Sequence, residues 1–188
     1  MTEPARTGPL GLRLKPCGPV RDAEAAARVH ERLTGAADAD GWDGLLESVW
    51  PALAPVFAAS PYLTGLARRW PDRLHSILAA DPGARLAAIL ADTAALDGPP
   101  DALKAPLRWL KAELHLLTAV ADLGGVWDLD QVTGALSRFA DAAAQAALAA
   151  VAFEQREAGK LLAAADDPRG PVPGLFGLAM GKHGAFEL

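Results

Sequence analysis

The residues that could do chemistry concentrate at the end of the chain, where Gly181, Lys182, His183 and Gly184 follow the apolar run 175–180. A strand leading into glycine-rich backbone with a lysine can offer free N–H groups and a point charge to phosphate oxygens. The glycine spacing is not that of a P-loop, and no Ser or Thr follows the lysine, so an ordinary turn stays open beside phosphate binding. Elsewhere, Asp128 and Asp130 form the Asp-x-Asp pair that holds catalytic metal when carried on a strand, where residues two apart share a face. Here the pair opens a helix, on which residues two apart point about 200° apart, so capping is the expected role.

The remaining candidates are dispersed. Arg108, Lys111 and His115 share one helix edge and suit a phosphate or a carboxylate, with a solvated edge as the plainer reading. His30, His75, His115 and His183 lie too far apart for a zinc motif, and Cys17 is a lone thiol, which fits a reducing compartment. Asp38 and Asp40 read as solvated loop charges, and Trp42, Trp50, Trp70, Trp109 and Trp127 as packing anchors.

The elements that must position these residues are helices. Alanine fills 42 of 188 positions, which excludes a mainly β protein and makes the fold mainly α. Residues 1–21, rich in Pro and Gly, are expected to be a flexible leader. Asp22 caps a helix running to Thr34 that Gly35 stops, with a loop over 36–42. Leu45, Leu46, Val49, Leu53 and Val56 mark a second helix despite Pro51 and Pro55. Ser60–Pro61, Trp70–Pro71 and Asp81–Pro82 each open a short helix by the same cap-then-proline syntax.

Leu103, Leu107, Leu110, Leu114 and Leu117 form a leucine stripe on a long helix that Gly124 and Gly125 end. Asp128 caps the next, with Leu129, Val132, Leu136, Phe139, Ala143, Ala146, Ala150 and Phe153 in three-four alternation. These two helices are expected to form an antiparallel hairpin within a helical region spanning 22–165. A linker over 166–174 and a strand opening at Leu175 follow.

The net charge of −5 and pI of about 5.3 leave no basic surplus for a nucleic-acid backbone. The apolar run 142–153 is too short to span a bilayer, and residues 1–20 lack a secretory apolar block, so a cytoplasmic chain is expected.

Three collinear stretches carry a resemblance. FGLAMGKHGAFEL (176–188) resembles the start of the nucleotidyltransferase signature of the bifunctional glutamine synthetase adenylyltransferase/adenylyl-removing enzymes. SPYLTGLARRWPDRL (60–74) is similar to an early helical segment of that family, and LRWLKAELHLLTAVADLGGVWDLDQVTGALSRFADAA (107–143) to the helical hairpin before its first catalytic domain. The resemblance implies an enzyme that adds AMP from ATP to a tyrosine of glutamine synthetase. It also implies removal of that AMP by phosphorolysis to ADP through the N-terminal half, under control of glutamine and the PII signalling protein.

The resemblance further implies that residues 175–188 begin a truncated nucleotidyltransferase α/β domain of the adenylyl-removing half. Gly181, Lys182 and Gly184 would be its nucleotide-binding residues, and the Mg2+-holding Asp-x-Asp strand would lie beyond Leu188. His183 stands where the family often has an apolar residue. No catalytic residue is therefore expected among these 188, and the chain alone is expected to be inactive. The alternative is a helical regulatory or protein-interaction module without catalysis.

Overall fold

The computed structural model describes residues 7–161, Val172 and 174–188, and within them every regular element is helical. A 3-10 turn, Leu10–Arg13, precedes α1 (Ala23–Asp40), α2 (Asp43–Ala59), α3 (Pro61–Arg69), α4 (Pro71–Ala79), α5 (Pro82–Ala94), α6 (Pro100–Leu123), α7 (Leu129–Glu157) and the single turn α8 (Gly181–Gly184). The chain divides into two compact units. One comprises the described residues up to Ala87 with Ala112–Val132, the other Ala88–Lys111 with the described residues from Thr133 onward. The linker expected over 166–174 lies, apart from Val172 and Gly174, outside the described residues.

All three proline-led starts are realised, at Pro61, Pro71 and Pro82, but only two carry a cap, since the Trp70 side chain makes no capping hydrogen bond. The Ser60 hydroxyl accepts from the Leu63 amide at 3.3 Å, and Asp81 Oδ1 accepts from Gly83 and Ala84 at 3.0 and 3.1 Å, each ahead of a proline that needs no amide partner. Asp22 caps α1 through the Ala25 amide at 2.8 Å. That helix does not stop at Gly35. It runs to Asp40 and ends at Gly41 in the left-handed conformation, so the expected loop 36–42 is mostly helix, with Asp38 and Asp40 exposed on its last turn. A glycine inside a helix costs about 1 kcal/mol relative to alanine, and the burial of Ala37 in the following turn offsets it. Pro51 and Pro55 sit inside a continuous α2, which forgoes two amide donors. The Thr64 hydroxyl donates to the Phe57 carbonyl at 2.7 Å near its end.

In the first unit α1 lies against α2, α3 and α4, with Leu33, Leu46, Leu53, Leu74, Ile77 and Leu78 fully buried. Trp42 stacks on His75 with ring centroids 5.1 Å apart, and His30 meets Trp50 at 4.5 Å while its Nε2 lies 2.9 Å from Glu47. Both histidines are packing residues. The second half of α6 is buried on several sides, through Ala112, Leu114, Leu116, Leu117 and Val120. Glu113 joins them with its side chain shut off from solvent. Its carboxylate pairs with the Arg85 guanidinium from α5 and lies 3.5 Å from Arg73 Nη1 of α4.

In the second unit the first half of α6 meets α7 where Leu103, Ala146 and Ala150 form a buried cluster with Leu96 and Leu107 packed against it. Asp128 caps α7 reciprocally: its Oδ1 accepts from the Gln131 amide at 2.8 Å, and Gln131 Oε1 accepts from the Asp128 amide at 3.0 Å. Leu129, expected on the apolar face, is 74% exposed, because the first residue after a cap precedes the packed turns.

The leader departs most from expectation. Residues 8–15 are anchored rather than mobile: Leu10 has no exposed surface, its amide donates to the Ala80 carbonyl at 2.8 Å, and the Lys15 amide donates to Gly124 at 3.0 Å. A β-carbon on Gly124 would lie 2.3 Å from Leu14 Cδ2, so glycine there is what lets the leader approach the end of α6. Asp81 closes the attachment, accepting from the Gly8 amide at 3.2 Å with Arg13 3.6 Å away. Sequence periodicity cannot reveal such an anchor, because one buried leucine in a Pro/Gly segment has no repeat.

Two tests follow from this anchor. Leu10→Ala removes a fully buried side chain and is expected to cost about 2–5 kcal/mol in a urea titration; a loss below about 0.5 kcal/mol would show the leader unpacked. Burial opposes ionisation of Asp81, but backbone donors at Ala84, Gly8 and Gly83 and the Arg13 guanidinium outweigh it and hold its carboxyl below the usual carboxylate range. A group depressed in the folded state stabilises above its unfolded pKa and loses that contribution as pH falls through the folded one. The stability gap between wild type and Asp81→Asn should therefore be full above about pH 5 and shrink below about pH 4.

Candidate functional site

The glycine-rich segment is placed by α7 within the second unit. Residues 175–180 run without regular structure, not as the expected strand, and Phe176 and Met180 are 75% and 85% exposed. A strand requires a neighbouring chain to pair its N–H and C=O groups, and no strand occurs among the described residues. The chain then turns once at α8, where the Ala185 amide donates to the Gly181 carbonyl at 3.0 Å and the Glu187 amide to that of Lys182 at 2.7 Å. Gly181 is left-handed, with φ 60°, a conformation that favours glycine.

Gly184 is required by space. A β-carbon there would lie 2.5 Å from the Ala179 carbonyl oxygen, so only glycine allows the turn to fold back on the extended segment. The turn is held to α7 by two side chains. His183 Nε2 lies 2.8 Å from Asp141 Oδ1, and the Leu188 amide donates to the buried Ser137 hydroxyl at 3.5 Å. Phe186, also left-handed, lies beside Gly134, whose own β-carbon would sit 3.8 Å from the phenyl ring. His183 is thus a docking residue, while the Lys182 side chain is exposed and forms no ion pair among the described residues.

The other candidates do not assemble with it. The His115 ring accepts or donates a 2.6 Å hydrogen bond with the Tyr62 hydroxyl in the first unit, while Arg108 and Lys111 are exposed. Asp128 is used as a cap, and Cys17 is exposed. Among the described residues no group of three His, Cys, Asp or Glu side chains could hold a metal ion, so the described residues do not fit a magnesium centre. Sequence reasoning missed Asp141 and Ser137, the α7 groups that receive the turn. Their only sequence signal is polarity on an otherwise alanine-rich helix.

A family profile described as glutamate-ammonia ligase adenylyltransferase matches residues 50–188, a span that takes in α3 to α8 and the turn at its end. The chain belongs to this adenylyltransferase family. It is 57% identical over 181 residues to the bifunctional glutamine synthetase adenylyltransferase/adenylyl-removing enzyme of Caulobacter vibrioides, covering 95% of this chain and 18% of that protein. The enzymes of the same name from Xanthobacter autotrophicus and Bradyrhizobium diazoefficiens are 40% and 44% identical over 95% and 69% of the chain, and 19% and 13% of their own lengths. The chain therefore spans about a fifth or less of the curated relatives it matches. No solved structure matches it. No helix among its described residues is long and apolar enough to cross a membrane.

The turn itself is testable. Gly184→Ala should displace the amide resonances of residues 179–188 and break the His183–Asp141 contact while leaving those of α1–α4 in place. Unchanged resonances at 179–188 would show that the close approach to Ala179 does not exist.

Proposed function

We propose that this chain forms part of an enzyme that attaches AMP to glutamine synthetase and removes it, and that it belongs to the adenylyl-removing half. The observation that carries the reading is the 57% identity to the Caulobacter vibrioides bifunctional enzyme across 95% of the chain, beside a family profile whose match over residues 50–188 takes in the glycine-rich turn. In this reading residues 175–188 open a nucleotidyltransferase domain. The apolar segment 175–180, half to almost fully exposed here, would pair as its first strand, and α6 and α7 would pack as the antiparallel lead-in, which the Leu103–Ala146–Ala150 cluster supports.

Gly181, Lys182 and Gly184 are the residues of this chain proposed to meet the nucleotide. The physical ground is that Lys182 offers an exposed ammonium on a turn whose backbone approaches closely at Gly184. Its role is to place positive charge beside phosphate oxygens, which stabilises charge that spreads over them during phosphoryl transfer. Magnesium, ATP or ADP and phosphate, and the PII protein belong to the same proposal, as does a cytoplasmic location. The carboxylates that would hold the magnesium are proposed to lie in sequence beyond Leu188.

The decisive assay supplies adenylylated glutamine synthetase, phosphate, magnesium and PII. The 188-residue chain is expected to release no ADP above background, whereas a product extended past Leu188 through the following Asp-x-Asp segment should release it. In that longer product Lys182→Ala should lower the rate at least tenfold. ADP release by the 188-residue chain, or an extended product with full activity after Lys182→Ala, would overturn the assignment of these roles. The second reading, a helical interaction module, predicts that the 188-residue chain binds glutamine synthetase or PII and that extension adds no catalysis.

A further inference from the structure

A hollow of about 500 Å³ opens in the first unit, lined by Arg32 and Leu33 of α1, by Gly65, Arg68 and Arg69 of α3, and by Pro71. Its size falls within the range of small-molecule sites. Elsewhere in the same unit Arg13 is matched with Asp81, Arg28 with Glu24, and Arg73 and Arg85 with Glu113, while Arg21, away from the hollow, forms no ion pair among the described residues. Arg32, Arg68 and Arg69 form no ion pair among the described residues, although the chain carries five more acidic than basic side chains, 23 against 18.

The end of α3 offers a partial account of two of them, since cations are stabilised at a helix C-terminus. Arg32 lies well inside α1 and has no such account. The Arg69 guanidinium lies over the Trp70 ring, 4.9 Å from its centroid, which restrains its plane. A β-carbon at Gly65 would meet nothing within 4 Å, so the hollow is open at this point for want of a side chain.

Three forked donors around one hollow are suited to anionic oxygens that each guanidinium can grip in pairs. We propose that this hollow binds a small polyanion, a molecule with at least two phosphate or carboxylate groups. The proposal does not depend on the adenylyl-removing assignment, because it rests on α1, α3 and the start of α4.

Calorimetric titration of the 188-residue chain with inorganic pyrophosphate, and separately with citrate, tests it. At least one probe should bind with 1:1 stoichiometry and more weakly as salt rises, and the tighter of the two identifies the ligand class. Arg32→Gln and the double variant Arg68→Gln/Arg69→Gln should each weaken binding at least tenfold. Gly65→Leu should abolish it while the melting temperature holds or rises, since leucine favours the helix and fills only open space. That variant separates loss of the site from loss of the fold. Binding of neither probe, or binding that survives these variants, would overturn the proposal. So would a poly-glutamate peptide that binds the arginines and is not displaced by either probe, because the surface would then serve a macromolecule.

Discussion

A carboxylate withdrawn from water sets the terms for the first unit. Glu113 sits on the part of α6 that is buried on several sides, where a charge without partners costs several kcal/mol. Its partners come from two other helices, Arg85 on α5 and Arg73 on α4, so satisfying it fixes where those helices stand against the second half of α6. Apolar packing alone is tolerant of small slips, because leucine stripes present similar surfaces one turn apart. A guanidinium must reach one carboxylate, and that requirement is not met in a slipped register.

The helices so fixed are individually short. α3 and α4 have nine residues each, below the length at which isolated helices persist in water, so their order comes from capping and burial together. Prolines at the first helical position make this economical, since each stands where no amide partner is required. The same Asp81 that caps α5 also accepts from Gly8 and attracts Arg13, and through it the first described residues are tied to the helices instead of trailing from them.

The C-terminal segment obeys a different constraint. Its glycines are fixed by backbone proximity and its docking on α7 by two polar contacts, from Asp141 and Ser137, while Leu175, Phe176, Leu178 and Met180 remain exposed. Exposed apolar residues beside a well-defined glycine turn describe a segment whose apolar side chains have no cover among the described residues. The family match runs through this segment to Leu188, and the curated relatives are several times longer than the chain.

The sequence by itself determined the helical class, the three proline-led helix starts (two of them capped, by Ser60 and Asp81), the Asp128 cap and the buried leucine stripe of α6, because these rest on interactions between residues a few positions apart. It also carried the family, through collinear stretches that the profile over 50–188 covers. Only the tertiary structure decided that α1 passes Gly35, that Leu10 is buried, that 175–180 is not a strand, and that His183 meets Asp141 forty-two residues away. It likewise brought Arg32 to the same hollow as Arg68 and Arg69, and Glu113 to Arg73 and Arg85. The division has one physical reason: periodicity and caps report energies local to the chain, whereas burial and ion pairing depend on which distant residues share a volume once the helices have packed.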